Sequence, residues 1–453
     1  MTPCRAATRR LSLPAVALTL LLSTTLAPQA SEGFRRKLQP STDVAPAGSV
    51  IFSSIEGAYY AKSDGGFGWS LLSTAGEVLW LAEALLDALG NPIDAGATVT
   101  LDMTCSAVAG FTDACSASGA ATVLKAPAAI VATGQMLKIL TLVTSLTGKC
   151  TKSGANATQV DEAIKKAGGY ADFFRACSYE EIMIDVASSE THEVVLDCTD
   201  PILDCDEDEI AAAALAAAKK KGIDLKKFTH RAYVIPAGIT ATKCDWAGLA
   251  EIPGKQTWYT PTSDGIFDKG TFMQEILHNF GVWHGWRNGI EYEDASTCQG
   301  KGIACPSGPE LWRLRWGQTV AELKGADLPV GTWKGWYTLT ATYLAAKNTV
   351  KIFPDWLASY TKNIYFALRG KGGGDKDLLA EFDKKVNMHE VLKDNDRQGV
   401  AKGDPVITFV VKLFPKTTND LTAYKIIVVV GDLVGNVRVP ILICRYSTAP
   451  SQW

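Results

Sequence analysis

The eleven positions from 274 to 284 constrain this chain more tightly than any other stretch: Gln274, Glu275, His278, Gly281 and His284 fall in the pattern Q-E-x-x-H-x-x-G-x-x-H. Residues four apart on a helix share a face, so Gln274 and His278 can reach one metal ion together. Glu275 points beside that face, where its carboxylate can take a proton from water. If the helix ran on, His284 would lie about 600° and about 9 Å beyond His278, out of reach. The helix must end, and Gly281 is the residue that lets it, because glycine takes a positive φ that Phe280 and Val282 would resist. The segment predicts a helix over residues 270–280, a reversal at Gly281, and three metal ligands, Gln274, His278 and His284, around an open position. Glu275 is the candidate general base. The plainer reading, core or surface histidines on an amphipathic helix, is outweighed because two of only five histidines, a glutamate and a glycine occupy matching positions. His192, His230 and His389 have no such company and are read as structural.

The chain of 453 residues, 47% hydrophobic and 21% charged, has the composition of a globular protein of two or three domains. Its first thirty residues read as an export signal: Arg5, Arg9 and Arg10, then an apolar stretch over 11–27, then Pro28-Gln29-Ala30 as a small-residue cleavage site. Loss of those three arginines, from a stretch without acids, takes the formal charge from −3 to −6. That argues against nucleic acid as partner. No later segment is long and apolar enough to predict stable membrane insertion. Cys4 leaves with the signal, and the remaining ten cysteines fit disulfides in an exported chain. Cys105/Cys115, Cys198/Cys205 and Cys298/Cys305 are plausible short bridges, although spacing leaves connectivity open. The sequon Asn156-Ala157-Thr158 is consistent with a secreted glycoprotein.

Residues 31–128 read as β-rich, with alternating patterns at 49–60 and 97–103, one helical-looking stretch at 80–89 and a small-residue connector at 116–132. An α/β unit follows: a buried strand over 135–146, a helix over 159–167, strands at 181–186, 193–196 and 231–235, and a helix over 204–222. Asp206, Glu207, Asp208 and Glu209 open that last helix and Lys219 to Lys221 close it, a polarity that suits the helix dipole better than a calcium site. Beyond Gly331, strands at 332–343, 406–414 and 424–430 predict a β-sandwich-like domain. The Gly-rich run at 370–374 lacks the setting of a phosphate loop.

The extended motif differs by one letter from the H-E-x-x-H-x-x-G-x-x-H of metzincins, and the chain resembles their gametolysin-like metallopeptidase family from green algae over residues 135–400. Similar stretches are Y-A-D-F-F-R-A-C-S-Y at 170–179, F-T-H-R-A-Y at 228–233, C-D-W-A-G-L at 244–249, Y-E-D at 292–294 and L-W-R-L-R-W-G at 311–317. The resemblance implies an α/β (α+β) metzincin-like catalytic domain over 129–330, a propeptide-like β-rich region over 31–128 and a C-terminal β-rich domain over 331–453. It implies Glu275 as base and His278 and His284 as ligands. Gln274 stands where most metzincins have their first histidine, a variant that occurs within the family. The one divalent ion expected is zinc; because a carboxamide is a poorer zinc ligand than imidazole, the site should hold it less tightly, and copper is the alternative. The family's supporting Met-Gly turn is matched by Gln299-Gly300, and no methionine lies between Met273 and Met388.

These readings predict a secreted metalloendopeptidase of the extracellular matrix or cell wall, acting on protein or glycoprotein substrates. The rival is an inactive homologue that binds matrix as a structural component. A third reading, a carbohydrate-binding module, rests on Trp333, Trp336 and Tyr337, which are more often core residues. Cys105 or Cys115 could cap the metal in a latent form, but a bridge between them is the simpler account.

Overall fold

The computed structural model describes residues 50–63, 68–74, 78–108, 111–240, 243–397 and 403–448. The expected export signal lies outside the described residues. Strands β1 (Val50–Lys62), β2 (Gly68–Ser73), β3 (Val78–Leu81), β4 (Thr98–Val108), β5 (Phe111–Ala117) and β6 (Thr122–Lys125) make up the first unit. β1 pairs antiparallel with both β2 and β4, β2 with β3, and β4 with β5, while one parallel pair, Leu81 with Cys115, joins β3 to β5. Five strands thus close into a ring around Tyr59, Leu71, Leu79, Val99 and Met103, which removes most free edges. The helix expected at 80–89 is absent. Leu79, Leu81 and Leu85 enter the core at a spacing of two and four, which a strand running into a turn satisfies, and Gly90 at φ 78° ends the segment. The expected connector at 116–132 contains the end of β5 and all of the exposed edge strand β6.

The second unit holds β7 (Gln135–Leu137), β8 (Ile139–Thr147), α1 (Ala157–Lys165), α2 (Tyr170–Cys177), β9 (Ile182–Ile184), β10 (Glu190–Asp197), α3 (Asp200–Leu203), α4 (Glu207–Lys220), β11 (His230–Val234), α5 (Ala237–Thr240), β12 (Gly248–Ile252), β13 (Gln256–Tyr259) and α6 (Lys269–Asn279). Its sheet runs β10-β8-β11-β13-β12, parallel except for the last strand. β8 is buried almost throughout because α1, α2 and α6 cover one face and α4 the other. The Asp206 carboxylate accepts from the amides of Asp208 and Glu209, the capping role its position predicts. The outer edge of β12 is taken by the end of β1.

The remaining strands are β14 (Gly285–Arg287), β15 (Ile290–Glu291), β16 (Gln318–Leu323), β17 (Trp333–Thr340), β18 (Lys347–Ile352), β19 (Lys362–Arg369), β20 (Lys385–Leu392), β21 (Ile407–Leu413), β22 (Thr417–Leu421), β23 (Ile426–Val430) and β24 (Arg438–Arg445), with α7 (Gly308–Arg313) between β15 and β16. A seven-stranded sheet, β15-β14-β21-β20-β19-β18-β16, and a four-stranded one, β17-β24-β23-β22, share a single apolar core. Strands on both sides of residue 330 therefore hydrogen-bond in one sheet. Trp333 packs on Ile427 and Tyr446, Tyr337 on the shared core, and Trp336 is half exposed. The chain is a sheet-rich mixed α/β protein with few helices. Among the described residues no helix is long and apolar enough to cross a membrane.

Among the described residues, disulfides join Cys105 to Cys115, Cys150 to Cys198, Cys177 to Cys305 and Cys205 to Cys244, and Cys298 is a buried free thiol. The first bridge agrees with the short-loop expectation; the pairs 198/205 and 298/305 do not form. Strand order decides this: Asp197 of β10 pairs with Thr147 of β8, which brings Cys198 beside Cys150 just past both strand ends. The Cys177–Cys305 bridge closes 128 residues and pins α2 to the loop before α7. Replacing both cysteines by serine is expected to cost about 2–5 kcal/mol, read as a lowered unfolding midpoint in denaturant.

Candidate metal centre

α6 starts at Asp268, whose carboxylate accepts from the Thr271 amide, and runs almost wholly buried against α2 and the sheet. It ends at Gly281, φ 75°, where the Gly281 amide donates to the His278 carbonyl and the Val282 amide to the Leu277 carbonyl. That paired bonding is the left-handed helix stop the motif demands. Arg313 of α7 donates from Nε to the Gly281 carbonyl and fixes the turn from outside.

The reversal brings the His278 and His284 rings to 4.7 Å between centroids, perpendicular to one another. His278 Nδ1 lies 2.6 Å from the Val282 carbonyl, which can only accept, so the proton of the neutral ring sits on Nδ1. His284 Nδ1 lies 2.6 Å from a carboxylate oxygen of Glu291. That distance would suit an ion pair, but burial pulls the imidazole down to about 3 and raises the Glu291 carboxyl, so the contact is a hydrogen bond from a neutral ring. Burial likewise holds His278 well below its ordinary value, with the neighbouring His284 acting in the same direction. Both Nε2 atoms are buried and neither has a hydrogen-bond partner. Two lone pairs without a proton donor, deep in the protein, are costly unless something else takes them.

Glu275 extends one carboxylate oxygen to within 4.0 Å of His278 Nε2. The same oxygen accepts at 3.2 Å from the Ser63 hydroxyl. Burial pushes the Glu275 carboxyl up to about 8, partly offset by that hydroxyl. The side chain fits because β12 begins with Gly248: a Cβ there would stand 2.6 Å from Glu275 Oε1. Gln274 lies one turn before His278 and is 9% exposed. Its carbonyl accepts at 3.3 Å from Gln299 Nε2, which places the fully buried Gln299 beneath α6. Among the described residues no three His, Cys, Asp or Glu side chains are grouped closely enough to hold a metal. The donors this region offers are two imidazoles, with the Gln274 carboxamide, on the same helix as His278, as the expected third.

The other histidines lie elsewhere: His389 on Asp294, His230 on Phe280 and Thr229, His192 on Glu190. Glu291, Tyr292 and Ser63 are site residues that sequence reasoning did not single out. β14 and β15 form a hairpin through Asn288 and Gly289, both at positive φ, which returns Glu291 opposite Trp286 and beside His284. An Asn-Gly pair is a readable signal for that turn. Tyr292 lays its ring on His284 at 3.9 Å between centroids. Ser63 comes from another unit altogether and no local signal marks it.

A sheet-rich α/β core carrying a buried imidazole pair and a carboxylate on one interrupted helix is compatible with a peptidase domain. The chain belongs to the gametolysin peptidase M11 family, whose model matches residues 140–423. A curated relative, Autolysin from Chlamydomonas reinhardtii, is 26% identical over an alignment of 194 residues that covers 35% of this chain and 30% of the relative. The match thus spans under a third of that relative's length. No solved structure is significantly similar to this chain.

Proposed function

We propose that this protein is a secreted, metal-dependent endopeptidase that hydrolyses peptide bonds in cell-wall or extracellular-matrix proteins and glycoproteins. The observation that carries the reading is the pair of bare, buried Nε2 atoms of His278 and His284 beside Glu275. Family membership supports peptidase activity, and the name of the Chlamydomonas relative fits a cell-wall substrate. The disulfides among the described residues fit export. A metzincin-like arrangement of the domain over 129–330 is part of the proposal, as are the propeptide role of 31–128 and a C-terminal β-rich domain over 331–453, whose seven-stranded sheet also takes in β14, β15 and β16.

His278 and His284 would hold the ion through Nε2, with the Gln274 carboxamide as the third ligand. A divalent ion there, zinc or copper, would supply a Lewis acid for the scissile carbonyl and lower the pKa of water. The Val282 carbonyl and the Glu291 carboxylate hold each imidazole in the tautomer that leaves Nε2 free. Glu275 Oε2 takes the proton from the attacking water and returns it to the leaving amine. Glu291→Gln is expected to weaken metal affinity by about 10–100-fold, measured by chelator competition; unchanged affinity would remove Glu291 from this role.

The second reading is an inactive homologue that binds matrix, favoured by Gln274 in place of an imidazole and by Gln299 beneath the helix instead of a methionine. The retained Glu275 weighs against it. Metal content and cleavage of gelatin or a matrix glycoprotein by the mature protein, freed of residues 31–128, compared with the same form of Glu275→Ala, separate the two. Equal cleavage by both chains would end the peptidase reading, and bound metal without cleavage in either would favour the binder.

A further inference from the structure

Past its last pair with β4, at Ala58, β1 stays paired with β2 on one edge and lays Ala61 and Lys62 antiparallel on the outer edge of β12 with the other, Ala61 opposite Ile252 and Lys62 opposite Glu251. Ser63 continues the contact: its amide donates to the Ala250 carbonyl at 3.0 Å and its hydroxyl accepts from the Ala250 amide at 2.8 Å. The Ser63 hydroxyl then donates to Glu275, and the Tyr292 hydroxyl donates to the Ser63 carbonyl at 3.4 Å. An extended segment added to a sheet edge by main-chain bonds is how many proteins bind peptides. Here the added segment reaches the candidate base through Ser63.

Between those residues, Lys62 turns to the opposite face of the sheet and is fully buried. Its ammonium lies 2.7 Å from Glu207 and bonds Asp208 as well, both in the first turn of α4, over the indole rings of Trp258 at 5.3 Å and Trp80 at 4.4 Å. A lysine with no exposed surface persists only where carboxylates and aromatic faces replace its water. Glu207, Asp208 and Trp258 belong to the peptidase unit, so this socket does not depend on β1 for its acidic walls. Withdrawal of the ammonium would leave Glu207 and Asp208 without the cation they face.

We propose that Glu207, Asp208 and Trp258 form a binding site for a basic side chain of an extended peptide lying antiparallel on β12, and that the chain's own Lys62 fills it, holding Ala61 to Ser63 over Glu275 as an internal inhibitor. The proposal rests on the reading of Glu275 as the base, and it names lysine or arginine as the residue that selects the peptide. The site is closed in this form, and displacement of β1 opens it.

The test uses the full chain, wild type and Lys62→Ala, with a labelled peptide of residues 57–63, Gly-Ala-Tyr-Tyr-Ala-Lys-Ser, and the same peptide with alanine for lysine. Hydrogen exchange of the β12 amides should be at least about tenfold faster in Lys62→Ala. That chain should bind the lysine peptide at least about tenfold more tightly than the alanine peptide, and wild type should bind neither. Glu207→Gln with Asp208→Asn, in an otherwise unchanged chain, should also speed β12 exchange while abolishing the preference for lysine; it serves where Lys62→Ala fails to fold. Unchanged β12 protection in either variant that folds, or equal binding of both peptides by an opened Lys62→Ala chain, would overturn the proposal. Lysine-selective binding without any proteolysis would leave the socket standing and remove the peptidase reading instead. Proteolysis without lysine selectivity would do the reverse.

Discussion

Glu275→Gln is expected to lower peptide-bond cleavage by about 10²–10⁴-fold while leaving bound metal in place, because proton transfer by a positioned carboxylate contributes about that much. The amide keeps the shape of the side chain, can still accept from Ser63, and touches neither imidazole Nδ1. A fall in kcat with little change in KM marks a group that acts in the transition state rather than in binding. Cleavage is to be measured on a chain whose β12 edge has been freed, since Ser63 occupies the Glu275 oxygen in this form. If the glutamine chain cleaves as fast as its parent, Glu275 is not the base.

His278→Ala should abolish metal binding, from about one equivalent per chain to a level set by adventitious sites, since a three-ligand centre reduced to one imidazole and one amide has lost its geometry. Thermal unfolding provides a readout independent of turnover. A ligand that binds only the folded state stabilises it by about 4 kcal/mol at a thousandfold excess over Kd. Chelation should therefore lower the unfolding temperature of the wild-type chain and leave that of His278→Ala unmoved. His284→Ala should behave alike, because its Nε2 is equally buried and bare and its ring stands 4.7 Å from that of His278. Retention of stoichiometric metal by either variant would place the ion elsewhere.

The parts of the centre that were legible are those governed by local rules. Helical spacing puts Gln274 and His278 on one face, and Gly281 stops the helix as its freedom at positive φ predicts. The acids at 206–209 cap α4 for the same kind of reason. What was misread followed from weak local patterns: the apolar run at 80–89 carries leucines at a spacing that either a helix or a strand entering a turn can use, and closure of the barrel selected the strand. Glu291 could have been found, since Asn288-Gly289 marks a two-residue hairpin that must return it beside His284. Ser63 could not.

The chain's order of residues determined by itself where one helix must break and which side chains that break brings together, because backbone sterics and helical periodicity act over a few residues. The long-range disulfide partners, the buried Lys62 and the hydroxyl set against Glu275 were decided only by tertiary structure. Each depends on which strand lies next to which, and that choice minimises exposed edge and apolar surface over the whole chain rather than within any segment of it.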